Sequence, residues 1–206
     1  MSQLLQIHPV NPERRLIAQA AQVLRAGGLL VYPTDSCYAI GFHIGDAAPI
    51  KEIRRIRQTD KAHNFTLVCR DLADISTYAK VDNWHYRMLK AHTPGPYTFI
   101  LPATRSMPRR LQHDKRKTIG IRVPDHPVPL ALLEELGEPF MSSSLIMPGD
   151  EFPMTDPDEM AERLKNDVAL VLDSGNCGIE PTTVVDMTGD FPKLLRAGKG
   201  GTEDFV

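Results

Sequence analysis

The feature that most constrains this chain is alternation: short apolar runs of strand length are separated, from end to end, by segments with helical spacing. After Asn11, a plausible N-cap with Pro12 at the first helical position, Leu16, Ile17, Ala20, Val23 and Leu24 recur at helical intervals up to Gly27-Gly28. "LLVYP" then reads as a short buried strand. Asp46 opens a second helix with Ile50, Ile53 and Ile56 as its core face. "FTLVC" is a strand, and Asp71 and Asp82 cap two further helices. "YTFILPA" and "TIGIRVP" are strands, "VPLALLEELG" a helix ending at Gly137, and "FMSSSLI" a strand. A helix over "DPDEMAERLK" and strands over "VALVLDSG", "TTVVDM" and "PKLLRAG" complete the chain. With no low-complexity linker and no internal repeat, this pattern predicts one α/β domain over all 206 residues, layered, with helices on a largely buried sheet.

Composition narrows the function classes. With 42% hydrophobic and 24% charged residues and a formal net charge of −2, the chain is neither a disordered tail nor a wholesale basic nucleic-acid binder, although a local basic face stays open. Cys37, Cys69 and Cys177 are far apart with no C-x-x-C, which suggests neither a disulfide framework nor a zinc site and points to a reducing cytoplasm. The seven histidines show no ligand spacing, so no structural metal is expected. The N-terminus has no signal-peptide pattern, and no run approaches the roughly 20 apolar residues that span a bilayer. A cytoplasmic, membrane-free protein is expected.

Many of the seventeen prolines sit at strand ends (Pro33, Pro94, Pro102, Pro124, Pro181), where they cut the ladder and release backbone into loops. The polar groups at those ends are the candidate site. "VYPTDSCYAIG" ends a strand on Thr34, Asp35 and Ser36. In "TPGPYTF", Gly95 permits close backbone approach and Thr98 can donate to an anion, although a turn entering a strand accounts for the same residues. In "FMSSSLIMPG", alternation puts Ser142 and Ser144 on one face and Ser143 on the other; bonds to neighbouring backbone are the alternative role, and no Gly-x-Ser-x-Gly elbow is present. "EPTTVVD" and "LLRAG" bring Thr182, Thr183 and Arg196 to strand ends, with Arg196 after an apolar pair and so at the mouth of a site.

Two basic clusters stand against the negative balance. Arg54, Arg55 and Arg57, with Lys61, end the second helix, where the macrodipole also favours cations. Arg105, Arg109, Arg110, Lys115, Arg116, Lys117 and Arg122 face Asp114 alone, mostly in a loop before a strand, which suits a phosphate-rich partner.

In order, "YPTDSCYAIG", "TPGPYTF", "GIRVPDHP", "SSSLIMPG", "PTTVVD" and "LLRAG" resemble the motifs of the YrdC/YciO family over about residues 7–200. The resemblance implies one twisted α/β domain, a mixed sheet with flanking helices and a concave, positively charged groove. Its better-known members are threonylcarbamoyl-AMP synthases, which join L-threonine, bicarbonate and ATP in tRNA adenosine modification; the fold is also linked to double-stranded RNA and tRNA. It implies ATP, with Mg, as a substrate rather than a tightly bound cofactor. On this likeness Thr34 lines the small-molecule pocket, and Thr98, Thr118, Arg122, Ser142, Thr182 and Arg196 fall on substrate- and nucleotide-binding positions. Arginines and hydroxyl donors suit a triphosphate and the charge of an adenylate-forming step.

The departures are specific. Where the synthases carry Lys-x-Arg and Ser-x-Asn, this chain has Arg57-Gln58-Thr59 and Ser144-Leu145-Ile146. Arg57 and Ser144 keep the catalytic positions, and Thr59 and Ile146 stand where donors are lost, each loss commonly costing about 10²–10³ in rate. Two expectations follow. One is a protein that binds RNA or an adenine nucleotide, with Arg54, Arg55, Arg105, Arg109, Arg110, Lys115, Arg116 and Lys117 on RNA phosphates. The other is a threonylcarbamoyl-AMP synthase of low activity. With only 6% aromatics, stacking on single strands is the less favoured mode of RNA binding.

Overall fold

The computed structural model describes residues 2–45, 47–59 and 64–205. Among them ten strands form one mixed sheet. In chain order they are β1 (Gln3–Gln6), β2 (Leu30–Tyr32), β3 (Ala39–His43), β4 (Thr66–Val68), β5 (Tyr97–Pro102), β6 (Thr118–Arg122), β7 (Phe140–Ser144), β8 (Leu170–Asp173), β9 (Thr183–Asp186) and β10 (Lys193–Arg196). Their spatial order is β1-β8-β2-β3-β7-β4-β6-β5-β9-β10. The helices are α1 (Arg14–Arg25), α2 (Ala48–Arg57), α3 (Leu72–Tyr78), α4 (Asn83–His92), α5 (Pro127–Leu136) and α6 (Pro157–Arg163).

Strand β2 is apolar on both faces because both are covered. Leu16, Ile17, Ala20, Ala21 and Leu24 of α1 and Val128, Leu132 and Leu133 of α5 pack with Leu30, Tyr32, Val68 and Phe140. A larger cluster joins Ile50, Ile53 and Ile56 of α2 to Val31, Ile40, Phe42, Leu67, Phe99 and Ile121. No helix among the described residues is long and apolar enough to cross a membrane.

Helix α1 starts at Arg14 with Glu13 as N-cap, not at Pro12 after Asn11. Asn11 is used otherwise: its amide donates to His8 Nδ1 at 3.0 Å, and the His8 amide donates to Glu13 at 3.1 Å, so residues 8–13 close a turn of their own. Ala21, rather than the half-buried Val23, completes the core stripe. The predicted stop holds: Gly27 has φ +78, and the Gly28 amide reaches back to the Val23 carbonyl at 2.9 Å. Asp46, the expected opener of α2, lies outside the described residues; Ala47 is the N-cap. Asp71 and Asp82 cap α3 and α4 as predicted, Asp82 in a capping box with His85.

Two strands carry no sequence expectation. β1 is only four residues, "QLLQ", held by parallel pairing with β8. β3 follows a polar loop and contains Gly41, required because a Cβ there would press on the Tyr32 and Phe140 rings at 3.1 Å. Between β2 and β3, the loop that carries Thr34, Asp35 and Ser36 is tied to β6 by an ion pair of Asp35 with Arg122 whose side chains are 10% and 8% exposed.

Removing the Asp82 cap by Asp82→Ala is expected to lower the unfolding free energy by about 1 kcal/mol in urea titration, while Asp82→Asn, which keeps an acceptor, retains most of it. Asp35→Ala leaves Arg122 buried without its counter-ion and is expected to cost about 3–5 kcal/mol; pairing Asp35→Leu with Arg122→Met recovers a large part.

Candidate functional site

The site is a row structure on one face of the sheet. In β5, Phe99 and Leu101 are fully buried in the core, so the intervening Thr98 and Ile100 face the other way. The ladder registers them: Thr66 of β4 stands beside Gly120 of β6, and Gly120 beside Ile100 of β5. One step along, Thr98 stands beside Val184 of β9, and Val184 beside Arg196 of β10. Together with Thr118 these residues line a cavity of about 530 Å³. Gly120 keeps it open, since a Cβ would meet Thr98 Cγ2 at 3.2 Å and Thr66 Oγ1 at 3.6 Å.

The walls are polar and cationic. Arg57, at the end of α2, donates through Nε to the Ile146 carbonyl at 3.2 Å and through Nη1 to Ser143 Oγ. Arg196 folds over Thr182, its Nη2 2.8 Å and its Nε 3.2 Å from the Thr182 carbonyl. Thr182 Oγ1 is 2.8 Å from Thr98 Oγ1. Partial burial pushes both guanidiniums, Arg57 and Arg196, below the usual arginine range. Arg116 is the third cation of the lining, and the described lining contains no aspartate or glutamate. The chemistry on offer is therefore binding an anion and stabilising charge on it. Nucleophilic attack by Cys37 is not, because burial raises its thiol pKa. Among the described residues no cluster of three or more His, Cys, Asp or Glu is placed to hold a metal ion. The lining supplies hydroxyls and cations but no carboxylate, so a Mg²⁺ arriving with a nucleotide would be ligated by phosphate and water.

The sequence candidates separate into two groups. Arg57, Thr98, Thr118, Ser144, Thr182, Arg196 and Ile146 converge on the cavity. Thr34, Arg122, Ser142 and Thr59 are not part of its lining. Thr34 Oγ1 accepts from the Ser36 and Cys37 amides at 3.1 and 3.2 Å and donates to the Cys37 carbonyl at 2.7 Å, so it closes its own turn. Arg122 is held by Asp35 and, at 3.3 Å, by Ser36 Oγ. Ser142 stands beside Thr66 in the ladder but gives its hydroxyl to that of Tyr32, 2.6 Å away, whose pKa burial pushes up to about 12. Ser143, its neighbour of opposite parity, meets Arg57 and lines the cavity; strand alternation separated the two but did not say which would reach it. Thr66, Asn64 and His113 also line the cavity without having been marked by any motif.

The basic clusters divide as well. Arg55 pairs with Glu52 at 2.9 Å and with Asp167, and lines no part of the cavity. Arg122 is buried and contributes no surface charge. Arg54, Arg110, Lys115 and Arg116 line an outer lobe of about 540 Å³ that shares Asn64, Phe65, Leu111, His113 and Arg116 with the inner cavity. Arg105, Arg109 and Lys117 are exposed outside both lobes, with Lys117 Nζ donating to the Asp114 carbonyl at 2.6 Å. Lys61 lies outside the described residues.

With this geometry in hand, the comparisons with known proteins are informative. YciO of Escherichia coli strain K12 is 52% identical over the full length of both chains, and its crystal structure superposes with a TM-score of 0.96. Threonylcarbamoyl-AMP synthase of Bacillus subtilis strain 168 is 29% identical over 88% of this chain and 53% of its own. The Sua5 protein of P. abyssi, solved with L-threonine, is 25% identical with a TM-score of 0.87, covering 96% of this chain and 58% of that one. The family model that matches, Sua5/YciO/YrdC, described as "Telomere recombination", spans residues 22–198, and the chain belongs to that family.

Proposed function

We propose that this protein binds a phosphate-bearing adenine nucleotide in the inner cavity and RNA, double-stranded or tRNA, along the basic rim. The single observation that carries the reading is a cavity lined by three guanidiniums and several hydroxyls with no carboxylate among the described lining residues. Arg196, partly desolvated and held by the Thr182 carbonyl and hydroxyl, gains a counter-charge when a phosphate enters. The cavity is of the size that takes a small ligand. L-threonine is a further candidate, because the hydroxyls of Thr98, Thr118 and Thr182 lie in the same cavity and a related Sua5 protein carries that amino acid.

A second reading, synthesis of threonylcarbamoyl-AMP, is favoured by Arg57 and Ser144 lining the cavity. What weighs against efficient synthesis is the pair of altered positions. Ile146 presents hydrocarbon to the cavity, and only its main-chain carbonyl, by orienting Arg57, contributes polarity. Thr59 Oγ1 is buried with no hydrogen-bond partner and lies outside the lining, so it supplies no donor there. Catalysis of this kind depends on positioned charge at the reacting phosphate, and two such groups are absent.

Calorimetric titration with AMP and ATP tests the binding reading. Arg196→Ala and Arg57→Ala are each expected to weaken affinity about tenfold or more, with circular dichroism showing an intact fold; unchanged affinity in both would discard the inner cavity as the nucleotide site. Incubation with ATP, L-threonine and bicarbonate, read by mass spectrometry, tests the second. The Thr59→Arg, Ile146→Asn variant is expected to make more threonylcarbamoyl-AMP than the parent. Product from the parent at a rate the variant does not exceed would mean that the altered positions are dispensable. RNA affinity on the rim is expected to fall steeply with salt, by about 0.7–0.9 in log K per log salt for each phosphate contact.

A further inference from the structure

We propose that the outer lobe is a second phosphate subsite, and that the groove as a whole fits a nucleoside carrying phosphates at two separated positions, a ribonucleoside 3′,5′-bisphosphate being the simplest. This rests on the reading that the inner cavity takes a nucleotide phosphate and names the substrate class of the combined site. The outer lobe sets Arg54, Arg110, Lys115 and Arg116 against Asp114. Arg110 is fixed there by carbonyls, its Nη2 3.1 Å from that of Ile44 and 2.6 Å from that of Gly45, and among the described residues no carboxylate pairs with it. Arg54 lies over the Phe65 ring at 5.7 Å.

The waist between the lobes decides how the two charges are joined. Phe65 and Leu111, 3% and 5% exposed, belong to both linings. Of the residues common to both linings only Arg116 is a fixed cation, so an unbroken run of phosphates would otherwise leave water to lie against these hydrocarbon walls. A ribose linking two phosphates instead presents its carbons to them and keeps each charge in a lobe with cations. The waist also has a donor for a sugar hydroxyl. His113 Nδ1 accepts from the Lys115 and Arg116 amides, both at 3.2 Å, so its proton is placed on Nε2, the ring nitrogen directed away from that turn.

Calorimetry at fixed ionic strength with AMP, ADP and adenosine 3′,5′-bisphosphate tests the proposal, since ADP adds its second phosphate in line and the bisphosphate adds it across the sugar. The bisphosphate is expected to bind about tenfold or more tightly than AMP and more tightly than ADP. Lys115→Ala is expected to bring the bisphosphate-to-AMP affinity ratio towards one, whereas Lys90→Ala, an exposed cation of α4 outside both lobes, leaves that ratio unchanged. If AMP binds and the bisphosphate binds no better than AMP or ADP, the second subsite is overturned while the inner nucleotide site stands. If none of the three binds, both fall. The same phosphate pattern occurs in a free bisphosphate and at an internal nucleotide of RNA. Given the bisphosphate preference, a trinucleotide that binds more tightly still assigns the site to an RNA strand, and one that binds less tightly assigns it to the free nucleotide.

Discussion

The groove depends on the parity of strand register. In β5, Phe99 and Leu101 are committed to the core, which forces Thr98 and Ile100 onto the open face; in β9, Val185 does the same for Val184. A slip of one residue in either strand would put hydroxyls into the core and phenyl or aliphatic groups into the cavity, at a cost the fold could not meet. Packing on the closed face therefore specifies the chemistry of the open one. Gly120 serves the same end, because any side chain in that row would fill the floor between Thr66 and Thr98.

That dependence explains what could be read from sequence. Strand and helix alternation, the Gly27-Gly28 stop and the Asp71 and Asp82 caps are local signals, and the structure has them. Thr98, Thr182 and Arg196 were conspicuous as polar residues at strand ends, Thr118 entered through the family resemblance, and all four line the cavity. Thr34 sent the same signal and serves a different end, since a hydroxyl beside a turn can satisfy the turn's own amides. Only three-dimensional neighbours distinguish the two. Ser142 shares a face with Thr66 but is taken up by the Tyr32 hydroxyl, whereas Ser143, of opposite parity, reaches the cavity beside Arg57; which serine is used depends on those non-local neighbours. His113 carries no motif signal, because its place in the lining comes from a turn whose Lys115 and Arg116 amides hold its Nδ1.

Charge in the second basic run was misleading as a sum. Arg122 spends its charge on Asp35 inside the protein, and Arg55, in the first cluster, is neutralised by Glu52 and Asp167. Arg116 meets Asp186 only at 3.4 Å and stays exposed at the rim. The two arginine-rich clusters thus contain three different physical objects: a buried strut, a surface ion pair of small energetic weight, and cations lining a concavity. Only the last bears on a polyanionic partner.

The loop that carries Asp35 gives the strut its wider importance. Asp35 pairs with Arg122 of β6, accepts the Asp125 amide at 3.1 Å, and through its carbonyl holds Lys199 Nζ. The Lys199 amide in turn donates to the Pro181 carbonyl at 2.9 Å, and Gly198 lies so close to Pro181 and Thr182 that a Cβ would overlap them. Between these anchors runs the short segment that begins at Arg196, the guanidinium folded on Thr182. The β2–β3 loop and the segment that follows the last strand are therefore fastened together, over more than 150 residues of sequence. An anion seated against Arg196 would act on a group whose backbone is already fixed at its far end by this chain of contacts, so little ordering entropy is left to oppose binding. Thr34, which the family resemblance assigns to the pocket, and Asp35 beside it hold the turn and the strut on which this wall rests.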